Sequence, residues 1–321
     1  MNFEELRSTV SAYRTSRIIH AALELRLFDH LEDGYTAAQI ASRAASDPRA
    51  TARLLDALCA LGVITKQDEA YYHTALSRDY LTSTGQNSKY QGLLHSAQGW
   101  KNWSDLPQIV HTGALPERQR VFDDPDRYRT FILAMDDYQK EQAPAVVNSL
   151  NISPDAAILD CGGGPGTYAR AFALEYPESQ VTLFDLPDAI NIARELTEHP
   201  DLIEYISGDF FTDDLGGPYD YIFLSNIIHS HSPERNLELI VRLVNVLSRS
   251  GRLLIRDRFL DETGTAPLGA VIFGLHMLVN NLEGGTYTVD AVQFWLQSAG
   301  LTETGYQVVN EHMELITGRK P

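Results

Sequence analysis

Apolar positions along the chain change texture near residue 156. From there, five short apolar runs, AAILDCG, QVTLFDLP, LIEYISGDF, YDYIFLSNII and GRLLIRDRF, are separated by stretches with helical spacing: RAFALEY, AINIARELTEH and PERNLELIVRLVNVLSRS. Short strands alternating with amphipathic helices predict an α/β fold with a doubly wound parallel sheet. The tail LTETGYQVVNEHMELITG holds two strand-like runs joined by a few residues. So short a link suits an antiparallel pair, so the C-terminal edge of the sheet is expected to be mixed. Upstream, Leu23, Leu25, Leu27, Phe28 and Leu31 predict one apolar face on a first long helix. Thr36 before AAQIASRAA and Asp47-Pro48 before RATARLLDALCALG read as helix starts, and Gly62 as a stop. VITKQDEAYYHTA then offers two strand-like runs around a charged turn. Helix, turn, helix and wing make a winged-helix pattern over residues 1–90. Residues 91–150 read as a helical, aromatic connecting and lid region with Trp100, Trp103, Phe122, Tyr128, Phe131 and Tyr138, and residues 151–321 as the α/β domain.

Composition narrows the function classes. At 44% hydrophobic and 21% charged, the 321 residues are ordinary for a folded globular protein. The 43 acidic against 26 basic residues give a net charge of −17, which repels phosphate backbones and anionic membranes. The winged-helix reading therefore points away from DNA: the helix in the reading position offers Arg49 and Arg53 as its cations and otherwise carries leucines. Packing or dimerisation is the expected use, giving a homodimer. Cys59 and Cys161 are too few and too far apart for a disulfide framework or a metal cluster. The acidic N-terminus MNFEELRSTV is unlike a secretory signal, and no run of about 18 apolar residues is present to span a bilayer, so a cytoplasmic protein is expected.

The candidate chemistry starts at ILDCGGGPGT, residues 158–167, where a strand ends at Asp160 and runs into glycines. Such a turn brings backbone N–H groups against a nucleotide-like ligand. A phosphate-binding P-loop requires Gly-Lys-Ser/Thr, and the turn ends Gly166-Thr167-Tyr168. A dinucleotide fingerprint, G-x-G-x-x-G/A, fails from Gly162, where Thr167 stands at the last position, leaving NAD as a weak second choice. What remains is G-x-G-x-G at Gly162, Gly164 and Gly166. Asp185 ends the second run, where a carboxylate can accept both ribose hydroxyls of an adenosine group. Asp209-Phe210 ends the third, where a carboxylate can take the adenine amino group and a ring can cover the base. After the fourth run, SNIIHSHSPE supplies His229 and His231, either of which suits proton removal; metal ligation would need a further ligand that the neighbourhood does not offer.

With these residues placed, the chain resembles the S-adenosylmethionine-dependent small-molecule O-methyltransferases that carry an N-terminal winged-helix dimerisation domain, a group including caffeate, hydroxyindole and bacterial natural-product enzymes. The resemblance rests on LFDHL, TAAQIA, RLLDALCALGVI, LDCGGGPGT, FDLP, GDFF, SNIIHSHSPE and the late GGTYT, and covers nearly the whole chain. It implies a Rossmann-like class I methyltransferase domain with a seven-stranded mixed sheet, and S-adenosylmethionine as cofactor on Asp160, Gly162, Gly164, Gly166, Asp185, Leu186, Asp209, Phe210 and Ser225. It implies secondary metabolism and no metal. It places the catalytic base on His229, with His231 where an aromatic residue often stands and Ser230 where many relatives have aspartate. Asp257 matches the acid that orients the base, whereas the family's second acid has no counterpart in GGTYTVD. Met135 matches a packing residue beside the transfer centre. Tyr138, His276, Met277 and Asn280 are assigned to the acceptor pocket, the last three by sharing one helix face. The expected reaction is methylation of a hydroxyl on a small, aromatic acceptor. C- or N-methylation on the same scaffold and a catalytically silent or regulatory relative are the alternatives; retention of His229 and Asp257 argues against the silent form.

Overall fold

The computed structural model describes residues 1–31, 34–117, 121–310 and 313–321. Its contacts divide the chain into two compact units, Met1–Lys101 with Val121–Tyr138, and Asn102–Arg120 with Gln139–Pro321. The stretch 91–150 is thus shared between the units.

The first unit opens with α1 (Phe3–Ser11) and α2 (Tyr13–Glu24), followed by α3 (Ala37–Arg43) and α4 (Pro48–Ala60). The expected long helix is interrupted. Helix α2 stops at Glu24, Arg26 takes a left-handed φ of 53°, and Leu27–His30 form a single 3₁₀ turn. The kink turns Leu27 and Phe28 into the core and leaves Leu25 exposed, so burial overrides helix continuity there. Thr36 and Gln39 form a reciprocal capping box, and Asp47 caps α4 by accepting from the Ala50 N–H at 2.8 Å. Strands β1 (Ile64–Gln67) and β2 (Ala70–His73) pair as an antiparallel hairpin. Helix α5 (Tyr90–Gln98) and most of α8 (Pro125–Gln139) complete the unit, with α6 (Trp100–Ser104) and α7 (Leu106–Thr112) between them in sequence.

In the second unit, α9 (Ala143–Ser149) precedes β3 (Ala157–Cys161), α10 (Thr167–Glu175), β4 (Gln180–Asp185), α11 (Pro187–Leu196), β5 (Ile203–Ser207), β6 (Tyr219–Ser225), α12 (Pro233–Val246) and β7 (Leu247–Asp257). Then follow β8 (Phe259–Leu260), α13 (Leu268–Asn280), β9 (Tyr287–Thr288), α14 (Val289–Ser298), β10 (Thr302–Asn310) and β11 (Met313–Arg319). The seven-stranded sheet runs β10-β11-β7-β6-β3-β4-β5. Strands β7, β6, β3, β4 and β5 are parallel, and β11 is antiparallel to both β7 and β10. The run LSRS, expected at the end of a helix, begins β7 instead, because Leu247 pairs with Tyr219 and tertiary pairing overrides helical spacing.

Alternating side chains split the core. Ile158, Phe223 and Leu254 face α9, α10 and α11 on one side, while Leu159, Leu224 and Ile255 face α12 and α14 on the other. Polar residues at the carboxyl ends of the parallel strands are left at one edge of this sheet, the edge where such folds bind ligands. Among the described residues, no helix is long and apolar enough to cross a membrane.

Candidate active site

The glycine turn is built for close backbone approach. Gly162, Gly164 and Gly166 have φ of 70°, 54° and 73°, a region side chains rarely adopt. A Cβ at Gly163 would collide with the Asp160 carboxylate, whereas one at Gly164 would meet nothing within 4 Å. The turn is packed from beneath and open above. Asp160 lies under it, 1% exposed, and accepts from the Ala169 N–H at 3.0 Å in the first turn of α10. Its other oxygen, Oδ1, is buried without a hydrogen-bond partner. Burial pushes the Asp160 carboxyl up to about 7, nearby Asp185 adding to the effect and the Ala169 N–H opposing it.

Asp185, at the end of β4, is tied into the same turn. It accepts from the Gly164 N–H at 2.7 Å through Oδ2 and from the Leu186 N–H at 2.7 Å through Oδ1. Burial raises its pKa as well, against these two bonds. Leu186 itself is partly exposed beside it. After β5, Asp209 is exposed and accepts from the Phe211 N–H at 2.8 Å. Phe210 stands 3.6 Å from a Cβ built on Gly162, which puts its ring at the glycine turn. His231 packs edge-on against Phe210 and Phe211, at centroid distances of 5.7 and 5.1 Å. Burial, then Arg235 and His229, hold its pKa below the usual imidazole range.

His229 sits in a 3₁₀ turn after β6, 9% exposed. Its Nδ1 lies 2.9 and 3.0 Å from the two oxygens of Asp257, which is 5% exposed at the end of β7. An Nδ1–H donated to a carboxylate leaves Nε2 as the acceptor. Asp257 is therefore paired with the histidine rather than with a neighbouring arginine. Glu283 is exposed and its backbone N–H turns onto Asn281 Oδ1, so Asp257 is the one carboxylate bonded to the His229 ring among the described residues.

Main-chain bonds strap the turn from several sides. Asn236 of α12 donates to the carbonyls of Ile228 and His231 at 2.8 and 3.2 Å. Asn281 donates to Ser230 O at 2.6 Å, Gly285 N–H to His229 O at 2.9 Å, and the Tyr287 hydroxyl to His231 O. A Cβ at Gly284 would collide with the His229 carbonyl oxygen.

Helix α13 lies against the histidine. Phe273 meets the His229 ring edge-on at 4.8 Å and stacks on His276 at 5.7 Å. His276 Nδ1 accepts from Trp103 Nε1 at 3.3 Å, and Asn280 donates back to the His276 carbonyl at 2.7 Å. His276 and Asn280 share a face, as their spacing predicts. Met277 does not: it is buried, one residue round the helix, while Asn280 is exposed. Met135 and Tyr138 fall on the part of α8 that belongs to the first unit, where the Tyr138 hydroxyl donates to Gly92 O at 2.6 Å. Ser225 ends β6, its hydroxyl accepting from Asn226 at 3.1 Å and from Arg256 Nη1 at 3.4 Å.

A glycine turn with one buried and one part-buried acid at one end of a mixed seven-stranded sheet, and a carboxylate-held histidine beside it, can be set against known proteins. The family description "O-methyltransferase domain" matches residues 111–302, and "O-methyltransferase dimerisation domain" matches residues 8–83. The chain belongs to the O-methyltransferase family. Among its relatives, the tetracenomycin polyketide synthesis 8-O-methyl transferase TcmO of Streptomyces glaucescens is 28% identical over 97% of this chain and 94% of its own. The 3-hydroxy-5-methyl-1-naphthoate 3-O-methyltransferase of Streptomyces sahachiroi is 27% identical over 90% and 86%. Human N-acetylserotonin methyltransferase, solved with S-adenosylmethionine, superimposes with a TM-score of 0.88 at 25% identity, covering 99% and 97%. This O-methyltransferase thus uses S-adenosylmethionine to methylate small molecules. Its residues fit that cofactor: the turn is open at Gly164, and a buried carboxylate oxygen of Asp160 awaits a donor.

Residues that sequence reading passed over in this O-methyltransferase are Asn236, Asn281, Tyr287, Phe273 and Arg256. Arg256 carried a signal, since it is a charge inside the apolar run GRLLIRDRF at an inward-facing position.

Proposed function

We propose that this O-methyltransferase methylates a hydroxyl group on a small aromatic acceptor, with His229 as the general base. The observation that carries this reading is the buried contact between His229 Nδ1 and both oxygens of Asp257. Bound S-adenosylmethionine supplies an electrophilic methyl group on a sulfonium. Gly162, Gly164, Gly166, Asp160, Asp185, Leu186, Asp209, Phe210 and Ser225 are assigned to holding it. The protein must align an acceptor oxygen for in-line displacement and remove its proton. Asp257 fixes the imidazole with Nε2 free to accept that proton, and its charge stabilises the imidazolium that results. Phe273 packs on the His229 ring and on His276, which in turn meets Trp103, and Asn102 and Asn280 add two amide groups bonded to each other, a set of rings and polar groups that suits a flat acceptor with polar substituents. The relative named as a 3-hydroxy-5-methyl-1-naphthoate 3-O-methyltransferase supports an aromatic acceptor. A screen of phenolic, naphthoic and enolic acceptors with labelled methyl donor tests the reading. Label is expected in a methyl group bonded to oxygen in a phenolic or naphthoic product, and transfer to carbon or nitrogen alone would overturn it.

The dimerisation domain supports a homodimer. Helix α1 has no buried residue in the single chain, and Phe3, Leu6, Val10 and Tyr13 are all exposed. Apolar surface of that kind is suited to burial on a second copy, in an interface above about 2,000 Å². Light scattering is expected to give about twice the 35.8 kDa of one chain, and truncation of α1 to shift the population toward monomer.

A further inference from the structure

Phe273 of α13 touches three different groups. Its ring meets the His229 imidazole edge-on at 4.8 Å, stacks on His276 at 5.7 Å, and has the guanidinium carbon of Arg258 at 4.2 Å from its centre. Arg258 follows directly on Asp257 at the end of β7 and is exposed. Its guanidinium makes no ion pair or hydrogen bond among the described residues. The adjacent carboxylate offers it no bond, because Asp257 is committed to the His229 ring and to the Arg258 backbone N–H at 2.9 Å. A cation is thus held against an aromatic ring that also packs on the candidate base, with its fork of donors unused.

His276 adds a second donor beside the same ring. Trp103 Nε1 can only donate, so the His276 Nδ1 that it reaches at 3.3 Å accepts. Burial, then His229 and Arg258, hold the His276 pKa below the usual imidazole range, which favours a neutral ring with its proton on Nε2. Asn280 Nδ2 stands 3.4 Å from that nitrogen but makes its shorter bond, 2.7 Å, to the His276 carbonyl. The surroundings of Phe273 therefore offer positive charge and N–H groups. A neutral acceptor has no need of a cation there. An anionic one does, since a chain of net charge −17 repels it at long range.

We propose that the methyl acceptor carries a carboxylate and that Arg258 binds it, as the contact that sets acceptor specificity. The inference rests on the reaction proposed above, with His229 taking the proton of the acceptor hydroxyl. A planar guanidinium meets a carboxylate through two parallel hydrogen bonds, a match that a carboxamide or a lone phenol oxygen does not reproduce. The His229 ring and the Arg258 guanidinium flank one phenyl ring, at 4.8 and 4.2 Å from its centre, so hydroxyl and carboxylate belong to a single aromatic ring system rather than to the two ends of a long chain. The substrate class is a hydroxyaryl carboxylate.

Steady-state kinetics of the full chain with S-adenosylmethionine tests this on matched pairs: 3-hydroxybenzoate, 3-hydroxy-2-naphthoate and 6-hydroxy-2-naphthoate, each against its carboxamide. For at least one pair the wild-type KM of the carboxylate is expected to lie roughly 10- to 100-fold below that of the carboxamide, the range for one charged hydrogen bond. Added salt should narrow that gap. Arg258→Gln should bring the two KM values together, and Arg258→Lys should restore part of the difference, because a point charge replaces a fork. Comparing each acceptor with itself across the variants cancels its intrinsic reactivity. Equal wild-type KM for acid and amide in every pair would overturn the anchor while leaving the hydroxyl reaction standing, and needs no variant to fold. Arg258→Gln raising both KM values in step would make the arginine structural, and a preference that survives Arg258→Gln in full would place the carboxylate elsewhere; either result overturns the assignment. Transfer to no hydroxyl in any pair would remove the proposed reaction itself, and the anchor with it.

Discussion

His229→Ala is expected to cut turnover by about 10²- to 10⁴-fold while leaving donor affinity nearly unchanged, because positioning survives and proton removal is lost. The ring lies between Asp257 and Phe273, and its carbonyl rather than its side chain carries the bond to Gly285, so truncation leaves that strap in place. The check is kcat with a working acceptor from about pH 6 to 9, alongside calorimetric binding of S-adenosylhomocysteine. The defect should shrink at high pH, where an ionised phenol needs no base. His231→Ala should cost less, since His231 packs on Phe210 and Phe211. A His229→Ala enzyme as fast as wild type at pH 7 would remove it from the role of base.

Gly284→Ala is expected to lower kcat by about 10- to 100-fold with His229 and Asp257 both intact, since a displacement of ~1 Å at a catalytic group can cost that much. The added methyl would strike the His229 carbonyl oxygen, a backbone atom that cannot swing aside. Gly285→Ala is the control: its Cβ would meet nothing within 4 Å. The two variants should therefore part company in kcat while their thermal midpoints stay closer together. Indistinguishable turnover in the two would show that the strap does not set the position of the histidine.

Much of this architecture was legible in the residues. The five parallel strands, the capped helices after Thr36 and Asp47, and the antiparallel tail follow from periodicity and end signals that act locally. The glycine turn and the acids at strand ends were legible because a parallel sheet sends its strand ends to one edge. What escaped was set by tertiary contact. Arg26 breaks a helix that its leucines alone would continue, and LSRS pairs as strand because Tyr219 is available beside it. Asn281 and Tyr287 join this turn across more than fifty residues, and Asn236 from the next helix, all through carbonyls, which no side-chain pattern reports. Asp185 was legible as an acid at a strand end, but its bonds to the Gly164 and Leu186 N–H groups were not.

The strap around His229 has an evolutionary consequence. Gly285, Asn281 and Tyr287 grip that turn by its carbonyl oxygens, whatever side chains α13 displays. On the function proposed above, Phe273, His276 and Asn280 can drift toward a new acceptor after a gene duplication while the His229–Asp257 pair stays where β7 and α12 hold it. Selectivity and chemistry are then inherited as separable traits, and a lineage can diversify its products without first passing through an inactive ancestor.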